Sequence, residues 1–270
     1  MDAAHPRGDG LYAVPRPVTD LGSCVFHHAI DLPGYGAVPG GWDLRAGIVD
    51  YLGHVAFAGK RALDVGTTSG FLSFAMEAAG AEVVSYDLAQ SEPWDVVPFP
   101  GLDRGDFEGE LRNHLDRIED AYWLSHAALG SRARLARGSF YAIPLALGPV
   151  DVAVFGTTLV RMRDPFSVLQ SAARLTRETL VVTEILPRPY RFVRYLRRRV
   201  GLPMFLLPRA ASRARFEAWW VFAPATIQEF LRILGFGESA VTYHHQLVLG
   251  RRQLCYTVVG RRTEPTNPRG

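Results

Sequence analysis

The stretch Arg61-Ala-Leu-Asp-Val-Gly-Thr-Thr-Ser-Gly70 constrains this chain more than any other. An apolar run of strand length ends in an acid and two glycines. The helical pattern Phe71-Leu-Ser-Phe-Ala-Met-Glu-Ala-Ala-Gly80 follows at once. A second buried-strand pattern, Glu82-Val-Val-Ser-Tyr86, then ends in Asp87. Strand, glycine turn, helix, and strand with a terminal acid is the first half of a nucleotide-binding α/β sheet.

The spacing of the turn narrows the ligand. A dinucleotide fingerprint, Gly-x-Gly-x-x-Gly, lets backbone approach a pyrophosphate at a helix N-terminus. Here the turn reads Asp64-Val-Gly66-Thr-Thr-Ser-Gly70, one glycine short and at another interval. A wider turn suits a bulkier group without phosphate. Asp64 repels a pyrophosphate and suits an ammonium. Asp87 stands where a carboxylate grips a ribose diol. Adenosine carrying a cationic amino-acid tail meets all three conditions, and that ligand is S-adenosyl-L-methionine.

The rest of the chain supplies the expected sheet. Arg134-Leu-Ala-Arg137, ending at Gly138, predicts a short third strand, and the runs Val150–Phe155 and Thr179–Thr183 a fourth and fifth. A helix is expected from about Asp106 to Leu129, and another after Pro165 with Asp164 as N-cap. A further helix is expected over Ala223–Leu234. Ser239–His245 and Leu254–Val259 alternate around Gly250-Arg-Arg and predict a closing antiparallel pair. Asp43 is expected to cap an amphipathic helix reaching Val55, and Tyr35–Trp42 to be a loop. The predicted fold class is a doubly wound, mostly parallel seven-stranded α/β sheet with a C-terminal antiparallel hairpin and helical lid insertions. Residues 1–42 form an N-terminal segment over the cofactor site, and 43–270 the main domain, with insertions at 91–132 and 186–222.

Composition adds limits. A chain of 270 residues that is 48% hydrophobic can bury a sizeable core. Its net charge of +3 does not by itself imply nucleic acid. Lys60 is the single lysine, so arginine carries nearly all the positive charge. Cys24 and Cys255 have neither metal nor redox spacing. The first ten residues lack the apolar run of a signal peptide, and no stretch is apolar enough to span a membrane. A cytoplasmic enzyme is the expectation.

Asp64-x-Gly66-x-x-x-Gly70 with Asp87 resembles the signature of class I S-adenosylmethionine-dependent methyltransferases. Further stretches narrow the resemblance: Phe26-His27-His28-Ala-Ile-Asp31-Leu-Pro-Gly34 with Pro39-Gly40-Gly-Trp42-Asp43, Gly138–Tyr141, Phe155–Pro165 and Trp219–Pro224. Over about residues 25–262 the chain is similar to the branch that includes the enzyme completing 5-oxyacetyluridine at the tRNA wobble position. That enzyme type uses a carboxylated cofactor, held by lysines before the first strand and by a Tyr-His pair after the fourth. Here no lysine precedes Lys60, and Val160 and Arg161 stand at the Tyr and His positions. Ordinary S-adenosylmethionine is therefore the expected cofactor.

The resemblance and the strand ends together assign roles. Asp64 is expected to hold the ammonium, Gly66 and Gly70 to admit the methionine end, Asp87 to bind the ribose and Leu88 to pack on adenine. Ser139 and Phe140 stand either at the adenine edge or in plain core. Gly156 and Thr157 are expected at the transfer centre. Trp42 either closes over the cofactor or packs on the surface. Methyl transfer needs mainly positioning, with a base only if the acceptor proton leaves early. His28 and His27 are the candidate bases, His244 and His245 lesser ones, each against a structural role. Adjacent His27 and His28 point to opposite faces if extended, so one at most faces the site. Arg161 either binds an acidic group of the acceptor or pairs with a neighbouring acid.

The arginine- and aromatic-rich insertion Pro187–Arg215 has four readings. It can be a lid, with Trp219 and Trp220 packing on a small-molecule or lipid-like acceptor. It can be a membrane-surface patch, or a tRNA phosphate contact through Arg197, Arg198 and Arg199. It can also be a basic helical hairpin packed on the core. Three functions follow: methyl transfer to O or N of a small or lipid-like acceptor, tRNA wobble-uridine methylation, or non-catalytic cofactor binding.

Overall fold

The computed structural model describes residues 10–100, 104–195, 202–211 and 218–265. The chain enters through a hairpin, β1 (Ile30–Leu32) with β2 (Gly36–Val38), and then β3 (Trp42–Asp43). A short α1 (Ile48–Tyr51) leads to β4 (Arg61–Val65), α2 (Phe71–Ala78) and β5 (Glu82–Leu88). The long α3 (Arg104–Leu129) precedes β6 (Arg134–Gly138) and β7 (Val150–Gly156). α4 (Pro165–Ala173) and β8 (Thr176–Ile185) follow. β9 (Met204–Leu206) and β10 (Trp220–Phe222) pair with each other, and α5 (Pro224–Ile233), β11 (Glu238–Val248) and β12 (Arg251–Arg261) close the chain.

The main sheet has the order β3-β11-β12-β8-β7-β4-β5-β6. β6, β5, β4, β7 and β8 are parallel, and β12 runs antiparallel between β8 and β11. This is the Rossmann-like methyltransferase sheet that the resemblance implies, with one added edge strand. β4 places Ala62, Leu63 and Val65 in the core because helices cover both sheet faces, which explains its unbroken apolar run. The two faces carry separate cores. One gathers Leu63, Phe155, Val182 and Phe222, and the other Phe57, Leu72, Trp123 and Val154. Cys24, Ile30, Leu32 and Trp42 of the N-terminal segment join the second.

The connections reverse direction between β4 and β7. From β4 the chain winds outward to β5 and β6, and from β7 it winds the other way to β8. The crevice at the carboxyl ends of β4 and β7 is therefore the switch point where such sheets bind ligands. At α4 the Asp164 side chain accepts from Ser167 N–H, and Pro165 occupies the first turn, as its sequence predicts.

Four expectations need correction. Asp43 caps no helix reaching Val55: it lies in β3, its carboxylate takes Arg45, and the helix shrinks to α1. The glycines of Tyr35–Trp42 make a hairpin and an edge strand, not a loop, because β2 pairs back on β1 and Trp42 pairs with Val248. The sheet has eight strands, not seven, for the same reason. Among the described residues, 186–222 holds a 3-10 helix at Arg188–Tyr195 and the β9–β10 strand pair, so the insertion is not helical throughout. Arg197, Arg198 and Arg199 lie outside the described residues.

Candidate active site

The turn from β4 to α2 is built from strained backbone. Gly66, Thr68 and Gly70 have φ of 84°, 51° and 89°. Four of its amides are already spent on protein acceptors. Gly66 N–H and Thr67 N–H donate to Tyr86 O at 2.8 and 3.2 Å, and Gly70 N–H to Thr67 O at 2.9 Å. Thr68 N–H donates to Asp87 Oδ2 at 2.7 Å. A phosphate-binding loop keeps such donors for its ligand, so this turn is no pyrophosphate cradle.

Asp87 ends β5 at the switch point. Its Oδ1 accepts from Leu88 N–H at 2.8 Å, so each carboxylate oxygen takes one backbone donor. Each keeps a lone pair for a ligand. Burial raises the carboxyl pKa, while the two N–H donors and Arg137 oppose that rise.

A cavity of about 230 Å³ opens beside Asp87. Gly66, Thr68 and Leu88 form one wall, Ser139 and Phe140 a second, and Gly156 and Thr157 the floor. Leu111, His114, Leu115 and Ile118 of α3 cover one side, and Trp94, Asp95 and Tyr141 another. His27 and Arg161 complete it. The Tyr141 hydroxyl bonds Asp95 and accepts from Arg163 N–H at 3.1 Å. Trp219 Nε1–H donates to Asp95 O at 2.6 Å. These bonds tie the loop after β5 to the turn after β7.

A second cavity, of about 790 Å³, lies beyond the first. Trp42, Trp220, Phe222, Leu207 and Val248 give it apolar walls, with Glu184, Arg161 and Arg251 as its charged groups. Thr157 and Arg161 line both cavities. Thr157 is held at φ 60°, its N–H on Thr183 O at 2.7 Å and its hydroxyl 2.9 Å from Tyr51 Oη.

The expected site residues divide clearly. Gly66, Asp87, Leu88, Ser139, Phe140, Gly156, Thr157, His27 and Arg161 line the first cavity. Trp42 and Trp220 line the second, and Trp219 lines neither. Asp64 lies behind the turn, 0% exposed, with Ser73 Oγ–H donating to its Oδ2 at 2.7 Å. Burial pushes its carboxyl up to about 6. Gly70 also faces away: a Cβ there would lie 2.6 Å from Phe74 Cζ and 2.8 Å from Tyr122 Cδ2.

The histidines separate in the same way. His28 is 4% exposed, stacked on Phe71 at 5.6 Å, and does not reach the cavity. His27 does, with its pKa lowered to about 4 by burial first, then by Arg161 and His114. It is neutral at pH 7. His244 belongs to a core network, its Nε2 2.9 Å from Thr257 Oγ1 and its Nδ1 3.0 Å from Gln246 Nε2. Neither His244 nor His245 lines either cavity, because β11 lies toward the far edge of the sheet.

Glu184 was invisible to pattern reading. It follows the strand run Thr179–Thr183, yet it is 2% exposed and lines the second cavity. A lone acid at the carboxyl end of an apolar parallel strand was the available signal. Burial pushes its carboxyl up to about 8, against N–H donors from Val160 and Leu159 and the charge of Arg161. Among the described residues no group of three or more His, Cys, Asp or Glu could hold a metal ion. None of their helices is long and apolar enough to cross a membrane.

No family model matches the chain. No curated protein matches it either. Solved structures resemble it at low identity. The N-terminal domain of EvdMO1 in the presence of SAH and D-fucose is 18% identical, covering 77% of this chain and 78% of that one with a TM-score of 0.47. Magnesium protoporphyrin IX methyltransferase from Synechocystis PCC 6803 with bound SAH is 12% identical over 82% of both chains, TM-score 0.49. The Burkholderia thailandensis 1,6-didemethyltoxoflavin-N1-methyltransferase is 15% identical over 82% and 78%, TM-score 0.47. Likeness at this level identifies neither a cofactor nor an acceptor for this chain.

Proposed function

We propose that this chain binds S-adenosyl-L-methionine in the first cavity and methylates O or N of a small or lipid-like acceptor held in the second. The observation that carries the reading is Asp87. A half-buried carboxylate keeps one lone pair on each oxygen at the switch point, beside a turn that spends four of its amides on protein acceptors. Such a site suits a sugar diol better than a pyrophosphate. Leu88 and Phe140 give adenine apolar faces, and Ser139 stands at its edge.

The bound sulfonium supplies an activated methyl group, so the protein's task is to place the acceptor and exclude water. Thr157 and Arg161, common to both cavities, mark the passage between donor and acceptor. Asp64 acts on the ammonium only through the turn or a water, since it stands behind Gly66 and bonds Ser73. Neutral His27 adds no repulsion toward the sulfonium. Trp42 and Trp220 meet the acceptor, and Trp219 braces the loop at Asp95.

The largely apolar lining of the second cavity favours a small acceptor over a tRNA nucleotide. The resemblance over residues 25–262 keeps tRNA as an alternative that binding at low salt would reveal. Buried free Cys24 and Cys255 support a cytoplasmic location. Titration calorimetry tests the central reading. S-adenosylmethionine and S-adenosylhomocysteine should bind the wild type and fail to bind Asp87→Ala. A wild type that binds neither, or an Asp87→Ala variant that binds both, refutes it.

A further inference from the structure

Among the described residues Glu184 is the one acid that lines the second cavity, and its position is unusual. It leaves β8 at the carboxyl end, one residue past Thr183, whose carbonyl holds Thr157 N–H at 2.7 Å. Glu184 is thereby fixed beside the passage from the first cavity. Val160 N–H donates to its Oε1 at 3.3 Å, which orients the carboxylate. Around it stand Trp42, Trp220 and Phe222, ring walls unsuited to a solvated ion. The Val160 donor and the charge of Arg161 offset part of the cost of burying this carboxylate, and its place in the cavity lining lets a ligand use it as well.

We propose that Glu184 is the general base of methyl transfer, and that the acceptor is an apolar ring compound presenting an acidic O–H or N–H. This rests on the methyl-transfer reading above. In the step, a lone pair on the acceptor O or N forms a bond to the methyl carbon. The methyl–sulfur bond breaks and its electron pair stays on sulfur. The acceptor's proton passes to a Glu184 carboxylate oxygen and then to solvent. The sulfonium and the carboxylate lose their charges together, which suits a dry cavity.

The choice of ring compounds follows from the aromatic lining of Trp42, Trp220 and Phe222, and the acidity agrees with it. Burial pushes Glu184 up to about 8, which suits removal of a phenolic or heteroaromatic proton and is far too low for an aliphatic alcohol. The groups that face it are Arg161 from the turn after β7, Tyr51 from α1, and Cys255 and Tyr256 from β12, with Arg251 across the cavity. Burial raises Tyr51, Cys255 and Tyr256, so each stays neutral where Glu184 titrates.

The test uses the full chain with methyl-labelled S-adenosylmethionine. The probes are umbelliferone, alizarin, quercetin and benzotriazole, with octanol and octylamine as aliphatic controls. The expected result is transfer to at least one ring probe and to neither control, at a rate that rises with pH toward about 8. Glu184→Gln should lower that rate roughly 10²–10⁴-fold and abolish the pH limb. Glu184→Asp should keep the limb at a reduced rate. S-adenosylhomocysteine binding by both variants should match wild type, which shows that they are folded. Full activity in Glu184→Gln, or a pH limb that survives it, overturns the base. Transfer only to the controls, or to no probe by a wild type that binds S-adenosylhomocysteine, overturns the acceptor class. Failure to bind S-adenosylhomocysteine at all instead refutes the methyl-transfer reading beneath it.

Discussion

Thr68 N–H donates to Asp87 Oδ2 at 2.7 Å, which fastens the left-handed turn after β4 to the tip of β5. The same carboxylate that is offered to a ligand therefore also sets the shape of the turn.

That double duty predicts the behaviour of Asp87→Asn. An amide keeps the shape but places NH₂ against one of the two backbone donors and removes the charge. Loss of charge-assisted bonds to two hydroxyls should cost about 3 kcal/mol, roughly a hundredfold in Kd for S-adenosylhomocysteine. Calorimetry measures it. An unchanged affinity would show that no diol sits there.

Gly70→Ala should act on the fold and spare the site. Its Cβ would lie 2.6 Å from Phe74 and 2.8 Å from Tyr122, at a φ of 89°. Strain and overpacking together should cost roughly 2–4 kcal/mol of stability. Cofactor affinity of the folded variant should stay within a few fold. Denaturant unfolding paired with calorimetry separates the two, and a large affinity loss without a stability loss would contradict this placement.

Glu184 also makes stability fall with rising pH. Its folded pKa is raised from 4.5 to about 8, so between those values the native state holds a proton that the unfolded chain has lost. Stability from this group is present below about 4.5 and lost as pH rises through about 8. Glu184→Gln should therefore gain on wild type in unfolding experiments at pH 8 relative to pH 5. A pH-independent difference would mean that the carboxyl is not held protonated.

His27 has the opposite sign. Its folded pKa is lowered from 6.5 to about 4, so between those values the unfolded chain binds the extra proton. Stability from neutral His27 is present above about 6.5 and lost as pH falls through about 4. His27→Gln should flatten that acid limb in chemical denaturation. A limb of undiminished slope would place the acid sensitivity elsewhere, for example at His244, also lowered to about 4.

The central parallel strands β4, β5, β7 and β8 were legible because their middles are buried and read as apolar runs, whereas the edge strand β6 is arginine-flanked and partly exposed. The candidate site was legible because its residues cluster at strand ends: Gly66, Asp87, Leu88, Ser139 and Gly156 all line one cavity. The N-terminal hairpin was not, since Gly34 and Gly36 punctuate it as a loop, and only pairing with Val38 shows otherwise. Asp43 looked like a helix cap because caps and strand-end acids share a residue type, and its pairing with Leu247 settles the matter. Burial at single positions was the least readable property. Glu184 carries only the weak signal of a lone acid near the end of an apolar parallel strand, which exposed strand-end acids share.

Thr157 and Arg161 form a partition with a chamber on either side. Altering such a partition disturbs both chambers at once. New acceptor preferences are therefore expected to arise on the far walls, at Leu207 or Trp220, where change leaves the donor's seat alone. Two closely related chains with different acceptors should then differ there first and agree at the partition.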